Sequence, residues 1–231
     1  MPTVLITGAN RGLGLEFCRH YSDKDWTVIA CCRNPKNANE LNTYRQSHGN
    51  IQIEALAFEH LGQIDTLSKK LSDIRIDVLI NNAGVYDDNR NNAFGHLDFK
   101  AWNNSFLINT QAPMKMAEAF LPQIQRSAKK LIVNISSLMG SISDNGSGGS
   151  LFYRSSKAAL NAAMKTLSID LKNQGIGVLI LHPGWVQTDM GGQNAPIDCK
   201  TSVGGMAKVI DKYTLEQSGH FISFDGKPMP W

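Results

Sequence analysis

Apolar residues fall along this chain in short, β-branched runs, each followed by a longer stretch in which apolar positions recur every three to four residues. The runs are VLI (4–6), WTVIACC (26–32), IQIEALAF (51–58), IDVLINNAG (76–84), KLIVNISS (130–137), IGVLILHPG (176–184) and GHFISF (219–224). Consecutive apolar positions suit strands buried on both faces, and the intervening periodicity suits helices that cover them. The alternation predicts an α/β fold, a single-domain Rossmann-type doubly wound parallel sheet with helices on both faces and right-handed crossovers. In such a sheet ligands bind outside the carboxyl ends of the strands. The residues to inspect are therefore 8–14, Arg33, 57–59, 81–84, Ser136 and Ser137, and 182–188.

The first of these places is the most distinctive. ITGANRGLG puts Gly8, Gly12 and Gly14 between the first strand and the helical pattern LGLEFCRHY (13–21), in the spacing G-x-x-x-G-x-G. Glycines there let backbone N–H groups at a helix start approach an anion closely, and the helix dipole favours negative charge. The turn is a candidate phosphate cradle, with Asn10, Arg11 and Leu13 as its other members.

Composition narrows the class without changing it. The 231 residues are 42% hydrophobic and 19% charged, as in an ordinary globular protein, and one domain spanning 1–231 is expected. A net charge of +3 with no basic block argues against nucleic acid as a partner. No apolar run reaches membrane length and the first strand begins at once, so a cytoplasmic protein with no membrane partner is expected. Cys18, Cys31, Cys32 and Cys199 show no metal-ligand spacing, and no metal site is assigned. DNGSGGS (144–150) reads as a loop.

Catalytic chemistry enters with YRSSK, which sets Tyr153 and Lys157 four apart on one helix face. A nearby ammonium stabilises a phenolate and lowers the tyrosine pKa from ~10. Ser137, at a strand end, falls in the same crevice. With these residues in view, the whole chain resembles the short-chain dehydrogenase/reductase family. Its T-G-x-x-x-G-x-G stands as Thr7 to Gly14, its N-N-A-G as Asn81 to Gly84, its serine as Ser137, its Y-x-x-x-K as Tyr153 to Lys157, and its P-G turn as Pro183 and Gly184.

The resemblance implies hydride transfer between a nicotinamide cofactor and a small-molecule carbonyl or alcohol. Tyr153 would be the acid-base group, Ser137 would hold the substrate oxygen, and Lys157 would tune Tyr153 and bind the nicotinamide ribose. Asn109 falls where the family keeps its fourth catalytic residue, holding a water that links Lys157 to solvent. Cofactor contacts are implied at the glycine turn, at Asn82, Ala83 and Gly84, at Tyr153 and Lys157, and at Pro183, Gly184, Val186 and Thr188. Arg33 stands where NAD-preferring members carry an acidic residue and, with Arg11, would favour the 2′-phosphate, so NADP(H) is expected over NAD(H). The adenine-contacting aspartate of many family members is replaced by Ala57, so that either Glu59 or a backbone group substitutes or adenine binding is weaker than usual.

Residues 184–200 resemble the family's substrate loop, in which Trp185 and Met190 could wall an apolar pocket. This loop and the tail FDGKPMPW are most similar to the branch of C-factor proteins and sniffer-type carbonyl reductases. Segments 98–126 and 153–173 correspond to the family's dimerisation helices, implying a homodimer or homotetramer. A carbonyl reductase is the reading that four retained catalytic residues favour; an NADP(H)-binding regulatory protein on the same scaffold is the alternative.

Overall fold

All seven apolar runs become strands of one sheet. The computed structural model describes residues 1–231. In chain order its elements are β1 (Thr3–Thr7), α1 (Gly12–Ser22), β2 (Thr27–Cys32), α2 (Asn39–Gln46), β3 (Ile51–Ala55), α3 (Gly62–Lys70) and β4 (Val78–Asn81). There follow α4 (Phe99–Phe106), α5 (Ala112–Ala119), α6 (Leu121–Gln125), β5 (Leu131–Ile135), α7 (Leu151–Asp170), β6 (Gly177–His182), α8 (Cys199–Asp211) and β7 (Phe221–Ser223). The sheet order is β3-β2-β1-β4-β5-β6-β7, and every pairing is parallel. The chain reverses direction across the sheet between β1 and β4, which opens a crevice at their carboxyl ends.

Burial on both faces explains the continuous apolar runs. Val4 and Ile6 pack with Leu15, Phe17 and Tyr21 of α1 and with Val203 and Met206 of α8. Leu5, on the opposite face, joins Ile64 of α3, Met116 of α5 and Leu160 and Met164 of α7. Cys18, Cys31 and Cys32 are buried in these two layers, where burial pushes each thiol up and keeps it unreactive. No helix is long and apolar enough to cross a membrane.

The expected long helix over 98–126 is instead a broken one. Asp98 caps α4 by accepting the N–H groups of Lys100 (2.9 Å) and Ala101 (3.1 Å). After α4 the backbone widens into a π turn, Leu107–Gln111, in which the Ala112 N–H reaches back to the Leu107 carbonyl. The cause lies in the sequence: Pro113 has no N–H to close an α turn onto the Asn109 carbonyl. Pro122 then opens α6 as a separate short helix.

The glycine turn crosses the start of α1 with no room to spare. A Cβ on Gly14 would lie 2.1 Å from the Gly8 carbonyl oxygen and 2.7 Å from Asn82 Nδ2, whereas one on Gly49 would meet nothing within 4 Å. Gly14→Ala is expected to lose roughly 1–3 kcal/mol of stability in urea denaturation through overpacking, while Gly49→Ala stays close to wild type. Equal midpoints for the two variants would show that the turn can open to admit the methyl group.

Candidate active site

Hydrogen bonds at the end of β4 hold the glycine turn in place. The Thr7 hydroxyl oxygen accepts the N–H groups of Asn82 (3.0 Å) and Ala83 (3.1 Å). Asn82 returns its side-chain amide to the carbonyls of Thr7 (2.9 Å) and Gly8 (3.2 Å). Gly8 and Gly12 adopt φ of +66° and +53°, the left-handed region that glycine tolerates. Arg11 precedes α1 without capping it, so no side chain of the cap residue covers the helix start.

From this turn a groove of about 840 Å³ runs along the carboxyl edge of the sheet. Asn10, Arg11, Gly12 and Leu13 line one part of it, Ala83 and Gly84 another, and Tyr153, Lys157, Pro183 and Thr188 a third. Its size is in the range of small-molecule and cofactor sites. A bare helix start, two left-handed glycines and this length of groove suit a dinucleotide. Gly184 (φ +83°) and the buried Val186 support the rim: Val186 bridges to Ile197, and a Cβ on Gly184 would lie 2.6 Å from Ile197 Cδ1.

Tyr153 and Lys157 are both buried, on the first two turns of α7. Lys157 Nζ donates to the Ile135 carbonyl (2.9 Å) and lies 5.7 Å from the centre of the Tyr153 ring. Burial pushes the Tyr153 phenol up to about 12; the Ser137 hydroxyl draws it down, and Tyr86 raises it further. Burial alone pulls Lys157 down to about 8. In this arrangement the Lys157 ammonium is turned toward a backbone carbonyl, and burial is the largest influence on both groups.

Asn109 sits in the π turn and is fully buried. Its side chain accepts the Val85 N–H (2.8 Å) and donates to the Val85 carbonyl (2.9 Å) and to Ser156 Oγ (3.0 Å). A Cβ on Gly84 would come within 3.2 Å of Asn109 Oδ1, so glycine there eases the close approach of the loop after β4 to Asn109, and Lys157 Nζ lies in ordinary contact range at 3.6 Å. Ser137 follows β5 and accepts the Met139 N–H (3.1 Å) at the start of a short 3₁₀ turn.

One residue in this region had no spacing signature. His182, the last residue of β6, accepts the N–H of Leu138 on Nδ1 (3.2 Å) and so fastens the loop that carries Ser137. Burial pulls its pKa down to about 4, which keeps the imidazole neutral and able to accept.

The two cations are already paired. Arg33 Nη1 lies 3.4 Å from Glu59 Oε1, and Arg11 bridges to Asp189 in the loop after β6. Both pairs are exposed, so neither costs much to break. The Ala57 N–H donates to Gln63 Oε1 (3.0 Å) and is not free for a ligand, whereas Leu56 and Phe58 line the groove beside Glu59. Thr188 Oγ1 accepts the Gly191 N–H (3.0 Å), and Trp185 Nε1 donates to the Gly191 carbonyl (2.7 Å), which folds the loop on itself. Met190 reaches the groove; Trp185 is exposed beside it.

A parallel sheet that reverses between β1 and β4, with a glycine turn and a buried tyrosine–lysine pair on one groove, defines a dinucleotide-fold oxidoreductase. The short chain dehydrogenase family model matches residues 2–196, and the chain belongs to that family. It is 43% identical over 156 residues to the C-signal protein of Myxococcus xanthus, covering 68% of this chain and 93% of that one. Among solved structures it is similar to the carbonyl reductase Sniffer of D. melanogaster, with 36% identity, a TM-score of 0.92 and 100% of both chains covered. It is equally similar to an NADPH-bound carbonyl reductase from chicken fatty liver, at 36% identity and TM-score 0.92, covering 100% of this chain and 99% of that one. These likenesses place it in the branch of carbonyl reductases of the sniffer type.

The depressed pKa of Lys157 carries a stability consequence. Its value falls from 10.5 to about 8 on folding, so the folded state binds this proton less tightly than the unfolded chain does. The penalty is full below pH ~8 and fades as pH rises toward the unfolded value. Lys157→Met is therefore expected to raise stability at pH ~7 by roughly 1–3 kcal/mol and to lose that advantage near pH ~10. Urea denaturation at the two pH values checks it, and a variant less stable than wild type at the lower one would contradict the assigned burial cost.

Proposed function

We propose that this protein is an NADP(H)-dependent carbonyl reductase that also runs as an alcohol dehydrogenase in reverse. The observation that carries the reading is one continuous groove with the uncapped glycine turn and Arg11 at one part and Tyr153 with Lys157 at another. The residues of the glycine turn would hold the pyrophosphate, Leu56 and Phe58 would flank the adenine, and Lys157 and Thr188 would face the nicotinamide half. When bound, the nicotinamide supplies or accepts the hydride.

The chain's own part is the proton. A phenol held at about 12 is protonated throughout the neutral range, so Tyr153 is set to donate to the oxygen of a carbonyl as negative charge develops there. Ser137 orients that oxygen beside the phenol. Lys157 needs only to turn from the Ile135 carbonyl to assist loss of the phenolic proton, and Asn109 keeps the loop after β4 against it. The substrate is a small carbonyl or alcohol, admitted beside Met190.

Arg33 and Arg11 favour NADP(H) over NAD(H) because each can exchange an exposed carboxylate partner for a 2′-phosphate. Glu59, which contacts Arg33 instead of standing free, is then a counter-ion and not a substitute for the adenine-binding aspartate. Exposed Phe99 on α4 and Ile169 on α7 suit pairing of copies as a homodimer or homotetramer. Free cysteines suit a cytoplasmic setting. The likeness to the C-signal protein supports a second reading, an NADP(H)-binding signalling protein, which would not require the tyrosine, lysine and serine kept here.

A screen of aldehydes, ketones and quinones, followed by cofactor absorbance with NADPH and NADH in parallel, tests the activity. Tyr153→Phe is expected to lower turnover of any substrate found by about 100-fold or more with cofactor binding nearly intact. Wild-type kcat in that variant would remove Tyr153 as the proton donor. Arg33→Asp is expected to weaken NADPH by roughly 10-fold to 100-fold while leaving NADH unchanged or improved. Equal weakening of both cofactors in a binding titration would overturn the role given to Arg33.

A further inference from the structure

Between β4 and α4 the chain reads Tyr86-Asp87-Asp88, of which Asp87 holds α4 while Tyr86 and Asp88 hold the start of α7. Asp87 Oδ2 accepts from Asn104 Nδ2 and Ser105 Oγ, both at 2.9 Å, which ties the loop to α4. The Tyr86 hydroxyl pairs with the Ser150 hydroxyl, and its ring lies tilted against Tyr153 with centres 5.1 Å apart. Asp88 accepts the N–H of Phe152 on Oδ1 (2.9 Å) and the N–H of Tyr153 on Oδ2 (2.8 Å).

Those two N–H groups belong to the first turn of α7, where a helix has no internal partners for them. A local cap is the usual remedy, and Ser150 stands in the capping position with a suitable hydroxyl. Yet Ser150 adopts φ +49° and ψ +46°, and its side chain makes no capping bond. The cap comes instead from a carboxylate 64 residues earlier in the chain. A local cap would stabilise α7 without fixing its position. A remote one fixes where the helix begins relative to the loop after β4, the same loop that brings Gly84 and Val85 to Lys157 and Asn109.

We propose that Asp88 is a positioning residue for Tyr153, setting both the placement of its backbone and the charge felt by its phenol. The inference rests on the reading of Tyr153 as the proton donor. Because the phenol oxygen lies at the far end of a residue whose backbone N–H is held, a small tilt of the first turn is magnified at the reacting atom. Misplacement of about 1 Å can cost on the order of 100-fold in rate. The carboxylate also sits at the positive end of α7 and offsets a dipole that would otherwise favour the phenolate. The other titratable groups facing Tyr153 are Lys157 on its own helix and Tyr86 on the loop after β4.

The test uses three variants and two readouts. Asp88→Asn and Asp88→Ser remove the charge; Asp88→Glu keeps it at the wrong distance. The Tyr153 phenol is titrated by NMR in protein with carbon-labelled tyrosine, its signal assigned by absence in Tyr153→Phe. Turnover is measured on a carbonyl found by the screen. In the neutral variants the phenol midpoint is expected to fall by roughly half a pH unit. All three variants are expected to lose about 10-fold or more in kcat, with the KM for NADPH within about 2-fold. Asp88→Glu keeps the wild-type titration. An unmoved phenol in the neutral variants, or wild-type kcat in Asp88→Glu, would overturn the proposal and leave Asp88 a plain helix cap. The titration needs no substrate, so failure to find a carbonyl that is reduced is read separately from failure of the role given to Asp88.

Discussion

The hydroxyl of Thr7 accepting from Asn82 and Ala83 joins the ends of two strands that diverge immediately beyond it. β1 hands the chain to α1 on one side of the sheet, and β4 hands it to a loop leading to α4 on the other. Without a tie at that point the crevice would have no fixed width. With it, the carbonyls of Thr7 and Gly8 are held by Asn82, the glycine turn keeps its left-handed residues against Ala83, and α1 begins with its N–H groups facing the groove. The rest of the site is arranged along the edge that this tie defines.

Burial then sets the electrostatics. Tyr153 and Lys157 lie side by side on α7, yet their proton affinities are governed mainly by loss of water, which raises the phenol and lowers the ammonium. Both shifts disfavour charge. The phenol is thereby kept protonated through the neutral range, while Lys157, at about 8, remains mostly an ammonium there but can release its proton more readily than a free lysine. At the opposite part of the groove the charges are exposed and paired with carboxylates, so Arg11 and Arg33 can change partner at small cost.

The loops between the strand ends and the next helices supply most of the site's specific contacts, and they act across long separations. His182 steadies the loop bearing Ser137, Asn109 clamps Val85, and Asp88 caps the helix bearing Tyr153. Each is a buried or half-buried polar group that hydrogen-bonds to backbone, with Ser156 Oγ as a further partner of Asn109, the condition under which such groups are tolerated and become rigid. The π turn at Leu107–Gln111 belongs to the same scheme, since it carries the Asn109 that holds Val85.

How much of this could be read along the chain depended on the range of the cause. Strand runs, the glycine turn, and the tyrosine and lysine four residues apart are local patterns, produced by periodicity and by the conformational freedom of glycine, and the sequence by itself determined them along with the parallel sheet they imply. The break in the helix over 98–126 was also local in origin, because Pro113 lacks an N–H, but its outcome was decided by packing against α7. The partners of Arg33, Arg11 and Lys157, the neutral state of His182 and the remote cap on α7 leave no spacing signal. They join residues 22 to 178 positions apart, and only tertiary structure decided them, because which donor meets which acceptor depends on how the loops at one edge of the sheet are folded against each other.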